Sequence, residues 1–231
     1  MTFRTNNEST YLASFPELGA YKCGTMTECI YLIVNQYKYE LASEESIEFR
    51  FPQIDSPSHD NPRDVLVSFY HHCKTVKHYD MGFSFDDDFF ETFLRGQVPC
   101  GPIWKMYNDM FKYHQANPGS TMLYLRRYET GFACTLRKVC AFLNCLEPND
   151  ERAWAQLLDH LSVDRMRQNK TINRHDWDKL GLRNSNGFEF VRKGQVNDWK
   201  NFFNDEQSIR FDREITDKLL PELKARYGQQ R

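Results

Sequence analysis

Short extended segments in this 231-residue chain are separated by stretches that carry apolar residues at every third or fourth position, and that alternation limits the folds open to it. Strands joined by helical crossovers pair in parallel, so the pattern predicts an α/β layer with a parallel sheet flanked by helices. One domain over residues 1–231 is expected, since 40% hydrophobic and 15% aromatic content suffices for one sizeable core.

The individual elements follow from local chemistry. Tyr11 to Phe15 reads as a short strand, and a turn-rich stretch to Gly24 leads into a helix from about Thr25 to Tyr37. Phe51 to Asn61, with Pro52 and Pro57, is the segment most like a linker. Asn61 caps and Pro62 opens a helix whose Val65, Phe69, Cys73 and Val76 make one face apolar. Ser84 is placed to cap a helix over Phe85 to Arg95 that Gly96 closes, and Gly101-Pro102 starts another running to about Ala116. Thr121 to Leu125 is the strongest strand candidate in the chain. Helices near Cys134 to Cys145 and Asp150 to Leu161 precede an aperiodic loop from Lys170 to Phe190, and a last helix is expected from roughly Glu206 to Tyr227.

A formal net charge of −2 provides no global field for nucleic acid or acidic lipid, so an anionic ligand must be met locally and neither partner is expected. Seven cysteines form an odd set without the close pairs of zinc or redox motifs, which predicts reduced thiols, no metal and a cytoplasmic setting. Met1 to Thr10 is polar and lacks the apolar core of a leader, and no apolar run is long enough to span a bilayer.

Three places have chemistry that suits phosphate. Lys22-Cys23-Gly24-Thr25 lies between a strand and a helix, where free backbone N–H groups, the helix dipole and a lysine favour an anion. Phe190-Val191-Arg192-Lys193-Gly194 offers a planar guanidinium, a point charge and a glycine over which a backbone can approach a ligand. Ser68 lies in the first turns of the helix opened by Asn61-Pro62, with a hydroxyl to donate. Each also has an ordinary reading, respectively a helix cap, a solvated charged loop and a surface serine.

Taken together and in order, these pieces resemble the cytosolic sulfotransferases. The most specific part is the Arg192-Lys193-Gly194 run followed by Asp198-Trp199-Lys200. The likeness extends over Asn61-Pro62-Arg63-Asp64-Val65 with Ser68, over Phe93-Leu94-Arg95-Gly96-Gln97-Val98, over Tyr128-Glu129 and over His160-Leu161-Ser162 with Met166. The resemblance implies a P-loop-NTPase-like sulfotransferase fold. It implies an enzyme that moves a sulfuryl group from 3′-phosphoadenosine 5′-phosphosulfate, as co-substrate, to a hydroxyl or amine of a small acceptor such as a phenol, steroid, retinoid or amine. Lys22, Gly24 and Thr25 would hold the 5′ end of the donor, and Ser68, Arg192, Lys193 and Gly194 the 3′-phosphate. Tyr128 and Ser162 would line the adenosine. Lys22 would also be catalytic, stabilising charge as the sulfuryl group leaves.

The sequence departs from the family at three points. The segment that carries the family's catalytic histidine is absent: the chain runs from Phe51-Pro52 through residues 53–60 to Asn61, with His59 the only histidine in the bridge, so central strands of the sheet are expected to be missing. Glu17 to Tyr21 is inserted after Pro16, and Met26 stands short of the tryptophan that stacks on adenine. Asp60 stands where relatives carry an arginine to the 3′-phosphate. Two readings therefore stay open, an active enzyme and a catalytically impaired relative that at most binds the nucleotide, with a helical interaction module as a remote third. The acceptor and the oligomeric state are open as well.

Overall fold

The computed structural model describes residues 3–5, 8–10, 13–14, 29–33, 35–40, 54–55, 61–80, 82–98, 101–117, 128–185, 187, 189–193 and 197–227. Within 3–5, 8–10, 13–14, 54–55, 86–87 and 128–132 it describes backbone alone. The candidates Lys22, Gly24, Thr25 and Gly194, the bridge residues His59 and Asp60, and the strand expected at Thr121 to Leu125 all lie outside these residues.

Strands β1 (Phe3–Thr5) and β2 (Glu8–Thr10) form an antiparallel pair. β3 (Ala13–Ser14) and β4 (Ile54–Asp55) pair in parallel, with Ala13 opposite Ile54 and Ser14 opposite Asp55. Residues read as linker thus supply a strand. Among the described residues this two-residue ladder is the extent of parallel pairing. The early helix covers residues 29–33 and gives way to a left-handed turn at Gln36 and Tyr37, so it ends short of the expected Tyr37.

Helix α1 (Pro62–Thr75) starts as expected, with the Asn61 side chain accepting the Arg63 N–H at 3.0 Å. Next comes a π-helical turn, Phe85–Phe89, before α2 (Phe90–Leu94), where an α-helix capped by Ser84 was expected; Ser84 makes no side-chain cap bond. The wide turn allows Phe85, Phe89, Phe90 and Phe93 all to be buried. After α3 (Ile103–Ala116), α4 (Tyr128–Leu143) begins earlier than its apolar spacing indicated. α5 (Glu151–His160) is capped by Asp150, and α6 (Val163–Gln168) by Ser162. The stretch read as an aperiodic loop contains one helical turn, α7 (Asp176–Lys179).

The last expected helix is three pieces: α8 (Asp205–Glu214), a 3-10 turn at Thr216–Lys218, and α9 (Pro221–Tyr227). Pro221 has no N–H to continue a helix and forces its predecessors out of helical geometry, so an unbroken helix is excluded. The buried Asn108 of α3 meets the orphaned groups there, donating to the Lys218 carbonyl at 2.9 Å and accepting the Leu220 N–H at 2.8 Å.

Two apolar clusters result. The first packs α1, the π turn, α2, α3, α8 and α9 around Phe69, Phe90, Phe93, Tyr107 and Phe211. The second packs residues 29–33 against α4, α5, Met166 and Ile172. One segment links them, because Val191 belongs to the second cluster and Trp199 to the first. Upstream, that same segment joins α1 again: Val76 bridges Arg183, and the Asn184 N–H donates to the Thr75 carbonyl at 2.8 Å.

Gly96 gives a direct check on this packing. Its φ is +68°, and a Cβ there would come within 2.7 Å of the Pro102 ring. Gly96→Ala combines a left-handed alanine with overpacking and should cost about 2–4 kcal/mol. The drop in Tm should be roughly 5–15 °C by calorimetry, a size typical of a domain this long.

Candidate functional site

The cationic pair Arg192-Lys193 lies between the two apolar clusters, and both side chains turn to one carboxylate. Asp198 Oδ2 is 2.6 Å from Arg192 Nη1, and its Oδ1 is 3.2 Å from Lys193 Nζ. The Asn201 amide adds a bond to Oδ1 at 2.9 Å. The Asp198 carboxylate is 2% exposed, whereas Arg192 and Lys193 are 24% and 47% exposed. A buried anion thus holds two outward-reaching cations, leaving one net positive charge. Burial pushes the Asp198 carboxyl up, but its bonds to Asn201, Arg192 and Lys193 outweigh that and hold it below the ordinary aspartate value.

The loop is fixed from two sides. From α1, the Asp64 carboxylate accepts the Asn197 N–H at 2.8 Å on one oxygen and the Trp199 N–H at 3.1 Å on the other. This anchors the 3-10 turn Asp198–Asn201, which begins just after the left-handed Asn197. Next to Asp64, the buried Arg63 pairs with Asp212 of α8, and its guanidinium lies 4.9 Å from the Trp199 ring centre and 5.3 Å from that of Phe211. From the other side, the buried Asn173 accepts the Val191 N–H at 3.0 Å and donates to the Arg167 carbonyl at 3.0 Å. Arg167 itself donates to the carbonyls of Val191 and Arg192. The backbone on either side of the cations is therefore held before any ligand arrives.

Ser68 is half-buried one turn beyond Asp64 on α1, and His71 follows one turn later. Asp64 binds the 197–199 backbone, and His71 packs its ring on Phe202 at 5.3 Å within the field of Arg192, Asp198 and Lys193. Ser68 shares their face of the helix, so the structure brings it to the same side as the cationic pair. Burial first, then the Arg192 and Lys193 cations, push His71 down to about 4 against the pull of Asp198, so it is neutral at pH 7.

Ser162 is placed differently from a simple lining residue. Its hydroxyl accepts the Arg165 N–H at 3.4 Å as the N-cap of α6, the helix that carries Arg167. Tyr128 opens α4, and the position of its side chain lies outside the described residues. Sequence reasoning assigned no role to Asp64, Arg167, Asn173 or Asp198. For Asp198 the signal was present, an acid five residues after the Arg192-Lys193 pair. For Arg167 and Asn173, which hold this loop through its backbone, no sequence signal existed.

Two measurements probe this arrangement. Asp64→Asn keeps the shape but turns an amide N–H₂ toward one of two backbone donors, and should cost about 2–4 kcal/mol in urea unfolding. His72, on the buried side of α1, is pushed by burial and by the Arg174 guanidinium from 6.5 down to about 4. The fold accepts it neutral, so its contribution is complete above pH ~6.5 and is lost as pH falls toward 4, up to roughly 3 kcal/mol. His72→Phe should remove that share of the stability–pH slope and leave the share that His71, depressed over the same window, contributes.

Comparison with known proteins places the chain. Residues 60–223 match the Sulfotransferase domain family. Mouse sulfotransferase 2A6 is 30% identical over 164 residues, covering 69% of this chain and 54% of the relative. Luciferin sulfotransferase of Photinus pyralis is 27% identical over 155 residues, 66% of this chain and 40% of the relative. The chain thus spans about half the length of the curated relatives it matches. Among solved structures, retinol dehydratase in complex with retinol and PAP superposes with a TM-score of 0.78 at 18% identity, over 91% of this chain and 81% of that one. Mouse sulfotransferase SULT7A1 complexed with PAP gives a TM-score of 0.68 at 19% identity, over 96% and 88%. The fold is that of the sulfotransferases, and the chain belongs to the sulfotransferase domain family.

Proposed function

We propose that this chain binds 3′-phosphoadenosine 5′-phosphosulfate and moves its sulfuryl group to a hydroxyl or amine of a small acceptor such as a phenol, steroid, retinoid or amine. The observation that carries the reading is the Arg192-Lys193 pair, held by the buried Asp198 beside the α1 face that bears Ser68, in a member of this family. One fork of donors, one ammonium and one hydroxyl suit the three oxygens of a 3′-phosphate, with Gly194 allowing the backbone close. Two solved relatives are complexes with PAP, one of them also holding retinol. Lys22, Gly24 and Thr25 would take the 5′ end, and Tyr128 and Ser162 the adenosine. The parallel sheet between these two halves would carry fewer central strands than in relatives.

In the transfer, the bond between sulfur and the nucleotide's bridging oxygen breaks as the acceptor oxygen or nitrogen bonds to sulfur. Negative charge develops on the departing phosphate, where the Lys22 ammonium stabilises it, and the acceptor proton passes to a base this reading leaves unassigned. A specific observation favours a second reading: the bridge from Pro52 to Asn61 holds His59 alone among histidines, and Asp60 adds a negative charge ahead of α1. On that reading the chain binds nucleotide and transfers slowly or not at all, since a general base contributes about 10²–10⁴ in rate.

Titration with adenosine 3′,5′-bisphosphate should raise the Tm, by about 2.7 kcal/mol of stabilisation at a hundred times Kd. No shift at millimolar ligand rejects both readings. Arg192→Ala should weaken that affinity by about 1.5–3 kcal/mol, on the order of ten- to a hundredfold in Kd. Transfer of radiolabelled sulfate to phenols then separates the active enzyme from the impaired relative.

A further inference from the structure

The spacing of Cys140 and Cys145 matches no redox motif in the sequence, yet the end of α4 brings the two together. Asn144, with φ +51°, closes the helix in a left-handed turn. Its N–H donates to the Ala141 carbonyl at 3.2 Å, and the Cys145 N–H donates to the Cys140 carbonyl at 2.9 Å. That pair of bonds defines a helix cap in which the residues at the ends of the longer loop, here the two cysteines, commonly bring their side chains into contact. With 2.9 Å between that nitrogen and oxygen, the covalent bonds on either side hold the two Cα atoms at most about 6.8 Å apart. A disulfide spans roughly 4.4–6.8 Å between Cα atoms.

Packing holds the pair in place. Cys140 lies in the second apolar cluster and is 1% exposed, and the half-buried Cys145 packs against that cluster. The Cys145 thiol donates to the Leu143 carbonyl at 3.4 Å, which keeps it against the cap. The Tyr37 hydroxyl donates to the Leu146 carbonyl at 2.7 Å and lies 3.9 Å from Cys140 Sγ, so the turn is pinned on both sides of Cys145. Both cysteines are free thiols here. Burial pushes both above the ordinary cysteine value, so neither is a ready nucleophile by itself. What favours a bond between them is proximity, which makes attack of the second thiol an intramolecular step. Neither residue belongs to the cationic pair or to its supports.

We propose that Cys140 and Cys145 form a dithiol site that a low-molecular-weight disulfide such as oxidised glutathione converts to an intrachain disulfide across the end of α4, independently of nucleotide binding. The Cys145 thiolate, the more accessible of the two, attacks oxidised glutathione, forming a mixed disulfide and releasing one reduced glutathione. The Cys140 thiolate then attacks the Cys145 sulfur and releases the second. Two protein thiols are thereby oxidised, one glutathione disulfide is reduced, and each thiol proton ends on a released glutathione.

The test incubates the full chain with oxidised glutathione, quenches it in acid, alkylates it in urea and digests it with trypsin. Residues 139–152 form one peptide bearing both cysteines, and residues 128–137 another bearing Cys134 alone. In the wild-type chain the 139–152 peptide should be two hydrogens lighter and carry no alkyl group, while the exposed Cys134 carries either glutathione or the alkyl group. Cys140→Ala should trap glutathione on Cys145, and Cys145→Ala should leave Cys140 alkylated. In one glutathione buffer, the ratio of disulfide to dithiol should be about ten-fold higher in the folded chain than in urea, because the cap holds the thiols together. The inference is overturned if the wild-type peptide keeps two alkylated thiols or a stable glutathione. It is overturned equally if that peptide is joined to the one bearing Cys29, or if the folded and urea ratios are equal. Should a variant fail to fold, the wild-type peptide and the two ratios still decide. A chain that fails to bind adenosine 3′,5′-bisphosphate but forms this disulfide refutes the proposed function and leaves the inference standing.

Discussion

The Asp64 carboxylate is the contact on which the rest of the site depends. It lies in the first turn of α1, is 6% exposed, and gives one oxygen each to the N–H groups of Asn197 and Trp199. Those two bonds set the start of a 3-10 turn, and the turn sets Asp198, which in turn aims Arg192 and Lys193. A surface loop bearing two cations would ordinarily sample many conformations, at a cost in entropy whenever a ligand ordered it. Here most of that ordering is already supplied by folding.

The same helix serves both clusters. Its apolar residues Val65, Leu66 and Phe69 pack into the first, and its C-terminal end is tied through Thr75 and Val76 to the segment that reaches the second. Buried polar side chains make the connections: Arg63 to Asp212, Asn108 to the break before α9, and Asn173 to Val191. Each satisfies backbone or charge that would otherwise be stranded, so each is expensive to remove and specifies one arrangement. On the far side of α1, Phe85 and Phe89 of the π turn instead pack edge-on against the Tyr70 ring.

Much of the helical half was legible beforehand, for identifiable reasons. Asn61-Pro62 specifies a start through a side-chain cap and a residue that needs no N–H, and α1 begins there. Asp150 caps α5 in the same way. Errors came where local spacing looked continuous but one residue vetoed it: Pro221 split the last helix, and left-handed Gln36 and Tyr37 ended an early one. The π turn had no sequence signature, since FDDDFFETF fits an α-helix equally well. Bonds from Arg167 and Asn173 to backbone carbonyls and N–H groups could not be read either, because any residue supplies those partners.

By itself the sequence determined the family, through the Asn-Pro-Arg-Asp and Arg-Lys-Gly runs with their spacing, together with the placing of most helices, because caps and apolar periods act over a few residues. Only the tertiary structure decided that Asp64, at one end of the helical half, holds residues 197 and 199 at the other, and that Asp198 shares itself between the two cations. Backbone capture by Asp64 depends on distance in space, which a separation of more than a hundred residues hides from any local reading, and the sharing of Asp198, though its partners are near in sequence, depends on the turn that this capture fixes.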